Sequence, residues 1–283
     1  MVADSHSMEN PCRLLDAAIE LADTAGLRIM DIYARGFDIQ RKDDRTPVTT
    51  ADLAAHETIT AGLRALTPDV PVLSEESADV PYAQRAAWRC YWLIDPLDGT
   101  REFIKRNGEF TVNIALVCDH RPVLGVVYVP VTKVSYHACA GQGAYKQAPG
   151  EPPVRLRVQP LGSGPVRVAG SRSHRTASLD AFLARLGAYE IVSLGSALKS
   201  CLVAEGAVDI YPRLGPTSEW DTAAAQCVVE EAGGHVTDTA MRPLRYNTKP
   251  SLLNPSFFVF GDARRDWSQY LPAASDQTEE HRG

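Results

Sequence analysis

The segment Trp92-Leu93-Ile94-Asp95-Pro96-Leu97-Asp98-Gly99-Thr100 decides how this chain is read. Apolar residues run as a strand up to Asp95. Pro96 and Gly99 then predict a tight turn, because proline fixes its own φ and glycine tolerates a left-handed backbone. Such a turn keeps Asp98 and Thr100 near Asp95, so two carboxylates and a hydroxyl face one small volume. Like charges that close are costly unless a cation neutralises them, and hard magnesium prefers oxygen ligands. The same spacing also suits a turn in which Asp and Gly serve only backbone geometry, and from this segment alone the two readings stand level.

Two further acidic segments bear on the choice. Ser74-Glu75-Glu76 follows the apolar run 70–73, and Trp220-Asp221 opens a helix expected to end near Gly233. Strand ends and helix starts are where such proteins gather ligand-binding groups. Taken singly, Glu75 and Glu76 also suit a solvated turn, and Asp221 also suits the positive end of a helix dipole. Upstream, Asn10-Pro11 predicts a helix start, with Leu14, Ala18, Ala22, Ala25 and Ile29 on one face as far as Arg35. A second helix is expected from Thr49 or Thr50, burying Ala55, Ile59, Leu63 and Leu66 and ending at Pro68. That places Asp52 in its first turn, where a carboxylate is favoured.

Strand-like runs at 112–118, 123–129 and 134–138, separated by turn signals, predict an antiparallel meander. After Pro149, Pro152 and Pro153 the grammar changes to alternation: strands at 166–169, 189–193, 207–211 and 257–260, helices at 177–186, 196–205 and 219–232. This predicts an α+β subdomain over 10–148 that carries the carboxylates and an α/β subdomain over 149–272. The polar ends, 1–9 and 273–283, are expected to be mobile tails.

With 283 residues and 45% hydrophobic content, the chain can bury about 75% of its unfolded surface and needs no staple. The six cysteines show neither Cys-x-x-Cys nor zinc-ligand spacing, so they read as reduced thiols, mostly buried. Net charge is −6 with dispersed basic residues, which argues against nucleic acid as a partner. No signal-peptide core or run of ~20 apolar residues is present, so neither export nor a membrane span is expected and the cytoplasm is the default. A polyanionic small substrate fits such a protein if metal ions supply the positive charge.

In order along the chain stand Asp52, Glu75-Glu76, Asp95-Pro96-Leu97-Asp98-Gly99-Thr100 and Trp220-Asp221. This arrangement resembles the lithium-sensitive, magnesium-dependent phosphatases of the inositol monophosphatase superfamily, over about residues 12–262. One departure is Ala224, where the family's last motif ends in glycine, which predicts a slightly opened helix contact there. The resemblance implies an α/β fold built as a layered αβαβα sandwich. It implies one magnesium held by Glu75, Asp95 and the Leu97 carbonyl, a second held by Asp95, Asp98 and Asp221, and a weaker third near Glu75 and Asp52. It also implies that Asp52, Glu75 and Thr100 position a metal-activated water or accept its proton.

Several tracts resemble the 3'(2'),5'-bisphosphate nucleotidase branch: residues 98–116, Gly170-Ser171-Arg172-Ser173-His174, Gly195-Ser196-Ala197-Leu198-Lys199, and Tyr211-Pro212-Arg213 leading into Trp220-Asp221. The implied substrate is 3'-phosphoadenosine 5'-phosphate, a by-product of sulfate assimilation, cleaved to AMP and phosphate. Its contacts would come from Asp98, Gly99, Thr100, Ser171, His174, Gly195, Ser196, Lys199, Arg213 and Asp221. Plainer readings make His174 a cap or a surface group and Lys199 a surface lysine. Inositol monophosphatase or fructose 1,6-bisphosphatase activity, alone or as a dual activity, stays open, as do a catalytically weak nucleotide or metal sensor and a homodimer. A haloacid-dehalogenase-like nucleophile would need Asp-x-Asp, which Asp95 and Asp98 do not form. Gly141-Gln142-Gly143 falls between strands, outside a Rossmann context.

Overall fold

The computed structural model describes residues 10–37, 39–41, 47–171 and 176–272. The tails expected to be mobile, 1–9 and 273–283, lie outside the described residues, as does His174.

Asn10 caps a 3-10 turn, Pro11–Leu14, its side chain accepting from the Cys12 N–H, and α1 (Leu15–Arg35) continues from it. Small residues on one face, Ala18, Ala22, Ala25 and Gly26, let α1 lie close to its neighbours. Gly36, at φ 103°, ends the helix. A short antiparallel pair, β1 (Ile39–Arg41) and β2 (Pro47–Thr49), leads into α2 (Thr50–Leu66). Thr49 and Asp52 form a capping box at the start of α2.

A seven-stranded sheet follows in the order β3 (Val72–Ser74), β4 (Cys90–Asp98), β5 (Thr111–Cys118), β6 (Arg121–Val129), β7 (Val134–Cys139), β8 (Gly143–Gln147) and β9 (Val154–Arg155). From β4 onward it is an antiparallel meander, of which the expected part is β5 to β7; β3 alone runs parallel to its neighbour. Two short helices interrupt it, α3 (Tyr82–Arg85) before β4 and α4 (Thr100–Ile104) after it. The chain then enters β10 (Val166–Ser171), α5 (Ala177–Leu186), β11 (Tyr189–Leu194), α6 (Leu198–Ala204), β12 (Ile210–Arg213), α7 (Ala223–Glu231), β13 (His235–Asp238) and β14 (Phe257–Phe260). These strands form a second sheet in the order β11-β10-β12-β14-β13, parallel except for β14.

Three apolar clusters stack these elements. Trp92, Ile94, Ile114 and Leu116 meet Ala22, Ile29, Ile59 and Leu63 of α1 and α2. Tyr91, Leu93, Val117 and Val127, on the opposite face of the same strands, meet α6, α7 and the inner face of the second sheet. Val168, Ile210, Phe258 and Phe260 on the outer face meet Leu179, Phe182 and Leu183 of α5. The result is helix, sheet, helix, sheet, helix, the expected five layers. Because β4 is covered on both faces, its first part, from Cys90 to Ile94, is a continuous apolar run with no polar alternation.

Four expectations are corrected. The opening foreseen at Ala224 is absent: Ala224 is buried, and a Cβ on Gly125 of β6 would lie 2.3 Å from its carbonyl oxygen, so the facing strand supplies the missing room. The cysteines are not all reduced: Cys12–Cys139 and Cys90–Cys118 are disulfides, and only Cys201 and Cys227 are free. Cys90 and Cys118 are directly opposed across β4 and β5, a proximity that sequence spacing cannot express. Asp95 does not end its strand, because β4 runs on through a bulge to Asp98. Asp221 does not begin a helix; it closes a separate 3-10 turn, Glu219–Asp221, before α7.

Candidate active site

The bulge between Asp95 and Asp98 is the local device on which the site depends. Asp95 pairs with Asn113 and Asp98 with Thr111, so β4 carries one more residue than β5 over this stretch. The extra residue re-aims the strand end, as bulges do. The Leu97 N–H donates to Asp95 Oδ1 at 3.1 Å, which fixes that carboxylate against its own backbone. Gly99 follows at φ 91°, where a Cβ would also sit 3.1 Å from the Glu109 carbonyl oxygen. Only then does α4 begin, with Thr100 as its first residue.

Thr100 donates its hydroxyl to Asp52 Oδ1 at 3.2 Å and lies 3.4 Å from the Leu97 carbonyl oxygen. Asp52 Oδ2 is held by the Thr49 N–H at 2.7 Å and the Thr49 hydroxyl at 2.6 Å. Its carboxyl is raised above the usual range by burial, which these hydrogen bonds oppose. Glu75 is delivered by β3 on a 3-10 turn, Glu75–Ser77, whose cap Ser74 accepts the Glu76 N–H at 3.3 Å. Asp221 Oδ2 accepts the Ser218 N–H at 2.9 Å. Glu75, Asp95 and Asp221 each bring a carboxylate oxygen within 4.8 Å of the others.

Burial and then the charge of neighbouring carboxylates hold Asp95 and Asp221 well above the ordinary carboxylate range. Asp98 is pushed up to about 6, mainly by burial, while Lys199 opposes the shift and Asn113 Nδ2, at 3.4 Å from its Oδ2, assists. A buried cluster of carboxylates that repel one another this way is relieved by a hard divalent cation with oxygen ligands, so the donor set fits a metal.

Glu75, Asp95, Asp98, Thr100 and Asp221 line a cleft of about 270 Å³, whose lining does not include Asp52. Ser171, Gly195, Ser196, Lys199 and Arg213, also expected from the sequence, line the same cleft. Lys199 is no surface lysine: it is buried, donates to the Ser196 carbonyl at 2.6 Å and lies over the Tyr211 ring at 5.3 Å. Burial lowers its ammonium to about 8, against the pull of Asp98. Arg213 is held by the Thr217 hydroxyl at 2.5 Å and the Pro216 carbonyl at 2.7 Å. Ser196 has φ 48° and a buried hydroxyl with no protein partner. The Gly195 N–H donates to Glu109 Oε2 at 2.9 Å, and a Cβ there would meet the Glu109 carbonyl oxygen at 2.7 Å.

Sequence reasoning missed Asn113, Tyr211 and Thr217. Asn113 carried a signal, a polar residue inside the apolar run 112–118. Tyr211 and Thr217 lie in the tract that resembles the nucleotidase branch but were given no role of their own until the fold placed them beside Lys199 and Arg213.

Residues 11–277 match the inositol monophosphatase family. The 3'(2'),5'-bisphosphate nucleotidase CysQ of Escherichia coli strain K12 is 52% identical over 249 residues, 87% of this chain and 99% of its own length. The Haemophilus influenzae protein of the same name is 39% identical over 255 residues, 90% and 95% of the two chains. The crystal structure of CysQ from Bacteroides thetaiotaomicron is similar at a TM-score of 0.77 and 44% identity, covering 89% of this chain and 97% of its own. A Thermotoga maritima IMPase reaches 0.75 at 26% identity, covering 90% and 95%.

Proposed function

The chain belongs to the inositol monophosphatase family, and we propose that it is a phosphomonoesterase that removes the 3'-phosphate of 3'-phosphoadenosine 5'-phosphate, leaving AMP and phosphate. The observation that carries this reading is that one cleft is lined by Glu75, Asp95, Asp98 and Asp221 together with the cations Lys199 and Arg213. A bisphosphate offers one anion to a metal held by the carboxylates and a second to the cations. Relatives that share about half of this sequence bear the nucleotidase name.

Metal dependence comes with the family, and magnesium suits an all-oxygen donor set. We assign two or three magnesium ions to Glu75, Asp95, the Leu97 carbonyl, Asp98 and Asp221. When bound, the metal lowers the pKa of a water and neutralises charge on the leaving oxygen. The chain does the rest. Thr100 gives its proton to a hydrogen bond with Asp52, which leaves its lone pairs to accept from the attacking water. Thr100 and Asp52 thereby orient the water, and Glu75 accepts its proton. The 5'-phosphate lies against Lys199 and Arg213, and the Ser196 hydroxyl, lacking a protein partner, turns toward it. Ser171 lines the same cleft, His174 is assigned to the substrate from the sequence alone, and Gly99 and Gly195 let backbone approach the ligand.

No helix among the described residues is long and apolar enough to cross a membrane; a cytoplasmic enzyme of nucleotide recycling is part of the same proposal. Phosphate release from 3'-phosphoadenosine 5'-phosphate, inositol 1-phosphate and fructose 1,6-bisphosphate at fixed magnesium tests it. The nucleotide should give the highest kcat/KM, and lithium should inhibit in a magnesium-dependent way. Preference for inositol phosphate would overturn the substrate, and release from none of the three would overturn the activity.

A further inference from the structure

Arg85 ends α3 and has only 1% of its surface exposed, yet it lies outside the cleft lining. Burying a guanidinium is costly unless hydrogen bonds compensate. Here they all reach one segment: Nη1 donates to Asn247 Oδ1 at 2.5 Å, and Nη2 donates to the carbonyls of Lys249, at 3.2 Å, and Pro250. Asn247 answers by donating Nδ2 to the Arg85 carbonyl at 2.6 Å. Only a planar fork spans several acceptors in this way.

The segment so gripped frames the turn that ends at Asp221. The Asn247 N–H donates to Glu219 Oε2 at 2.8 Å, and the Glu219 N–H donates to the Leu252 carbonyl at 2.8 Å. Asn254 donates its N–H to the Thr217 carbonyl at 2.8 Å and its Nδ2 to the Ser218 carbonyl at 2.9 Å. On the other side Arg85 belongs to the stretch that continues from the Glu75 turn, and Val80 and Trp88 of that stretch pack on the same core cluster as Trp220 and Leu252. The two acidic arms of the site therefore meet behind it, at Arg85 and Asn247.

We propose that Arg85, through its reciprocal pair with Asn247, is a positioning residue that keeps the Asp221 turn in register with the Glu75 turn and so sets the metal affinity of the cleft. This rests on the assignment of Glu75 and Asp221 as metal ligands. A residue that merely pins the fold would alter melting and leave metal binding by the folded protein unchanged.

The test is calorimetric titration of magnesium into the full chain, as parent, R85K, N247G and the double variant, with kcat measured at saturating magnesium. R85K keeps the charge and loses the fork. N247G deletes the side chain and keeps a backbone that already has φ 54°, so it remains informative should R85K fail to fold. At a temperature where each is folded, both single variants should bind magnesium about 10- to 100-fold more weakly, as is usual when support behind a ligand is lost. The kcat at saturation should stay within about threefold, and the double variant should bind about as weakly as the weaker single. Parent-like magnesium binding by folded N247G overturns the proposal. A parent that takes up no magnesium overturns the ligand assignment and this inference with it, a result distinct from unchanged variants.

Discussion

Thr100 and Asp52, 48 residues apart, are joined by a 3.2 Å hydrogen bond between the first residue of α4 and the capping box of α2. The contact makes Asp52 serve two purposes, closing a helix start and aiming a hydroxyl at the carboxylate cluster. Thr100→Ala should lower kcat by about 10²-fold with little change in Tm, within the range typical of a lost acid–base or orienting group. Thr100→Ser should restore most of it. Equal rates for Thr100→Ala and parent would remove this pair from the reaction.

Asp95 and Asp221 give opposite signs with and without metal. Their folded carboxyls sit well above 3.8, from burial and then the neighbouring carboxylates. In metal-free protein the stability that these two groups contribute is therefore full below about pH 4 and falls as pH rises through the folded values. Asp221→Asn should raise the metal-free Tm at pH 7.5, abolish the rise in Tm that magnesium gives the parent, and cost ~10²-fold or more in turnover. Thermal melts with and without magnesium read all but the last. A lower metal-free Tm would mean that the charge is neutralised in another way.

The two cations that line the cleft should differ. Arg213 is anchored by Thr217 and Pro216, so Arg213→Ala should lower kcat/KM for the bisphosphate by ~10- to 150-fold, the value of one charge-assisted contact, and spare inositol 1-phosphate. Lys199 is buried beside Asp98, so Lys199→Ala should depress both substrates. Equal losses for Arg213→Ala would assign it to the shared phosphate site.

His137 provides a pH signature away from the cleft. It is stacked on Tyr145 at 6.0 Å, and burial lowers its pKa below 6.5, with Asp16 opposing. The unfolded chain takes up this proton first as the medium is acidified. Stability tied to His137 is thus intact above pH 6.5 and lost as pH falls toward the folded value. His137→Gln should flatten the decline of Tm between pH 6.5 and 5, and an unchanged slope would exclude this group as its source.

Protein purified without reductant and then denatured should show two titratable thiols, from Cys201 and Cys227, with the other four paired. Cytosolic thiols are normally kept reduced, so six thiols in protein extracted under alkylating conditions would mean that the bonds form after the cells are opened.

Much of this was legible in the chain. The cap at Asn10, the start of α2 at Thr50, and the bounds of α5 and β14 follow from local chemistry that acts over a few residues. The five carboxylates, Asp52, Glu75, Asp95, Asp98 and Asp221, could be picked out because they fall in order on motifs that resemble those of the inositol monophosphatase family. What escaped depends on distance in space. A bulge at Asp95 to Asp98 is a property of two strands in register. The pairing of Cys12 with Cys139 spans 127 residues. The burial of Lys199 exists only once Tyr211 lies beneath it.

The absent side chain at Gly125 has a mechanical reach beyond its own layer. Because the α7 backbone touches β6 there without a spacer, the sheet bearing Asp95 gauges where the helix, and the Asp221 turn just ahead of it, can come to rest. A single methyl introduced at Gly125 would act as a shim, prising the Asp95 strand and the Asp221 turn apart from a point outside the cleft lining.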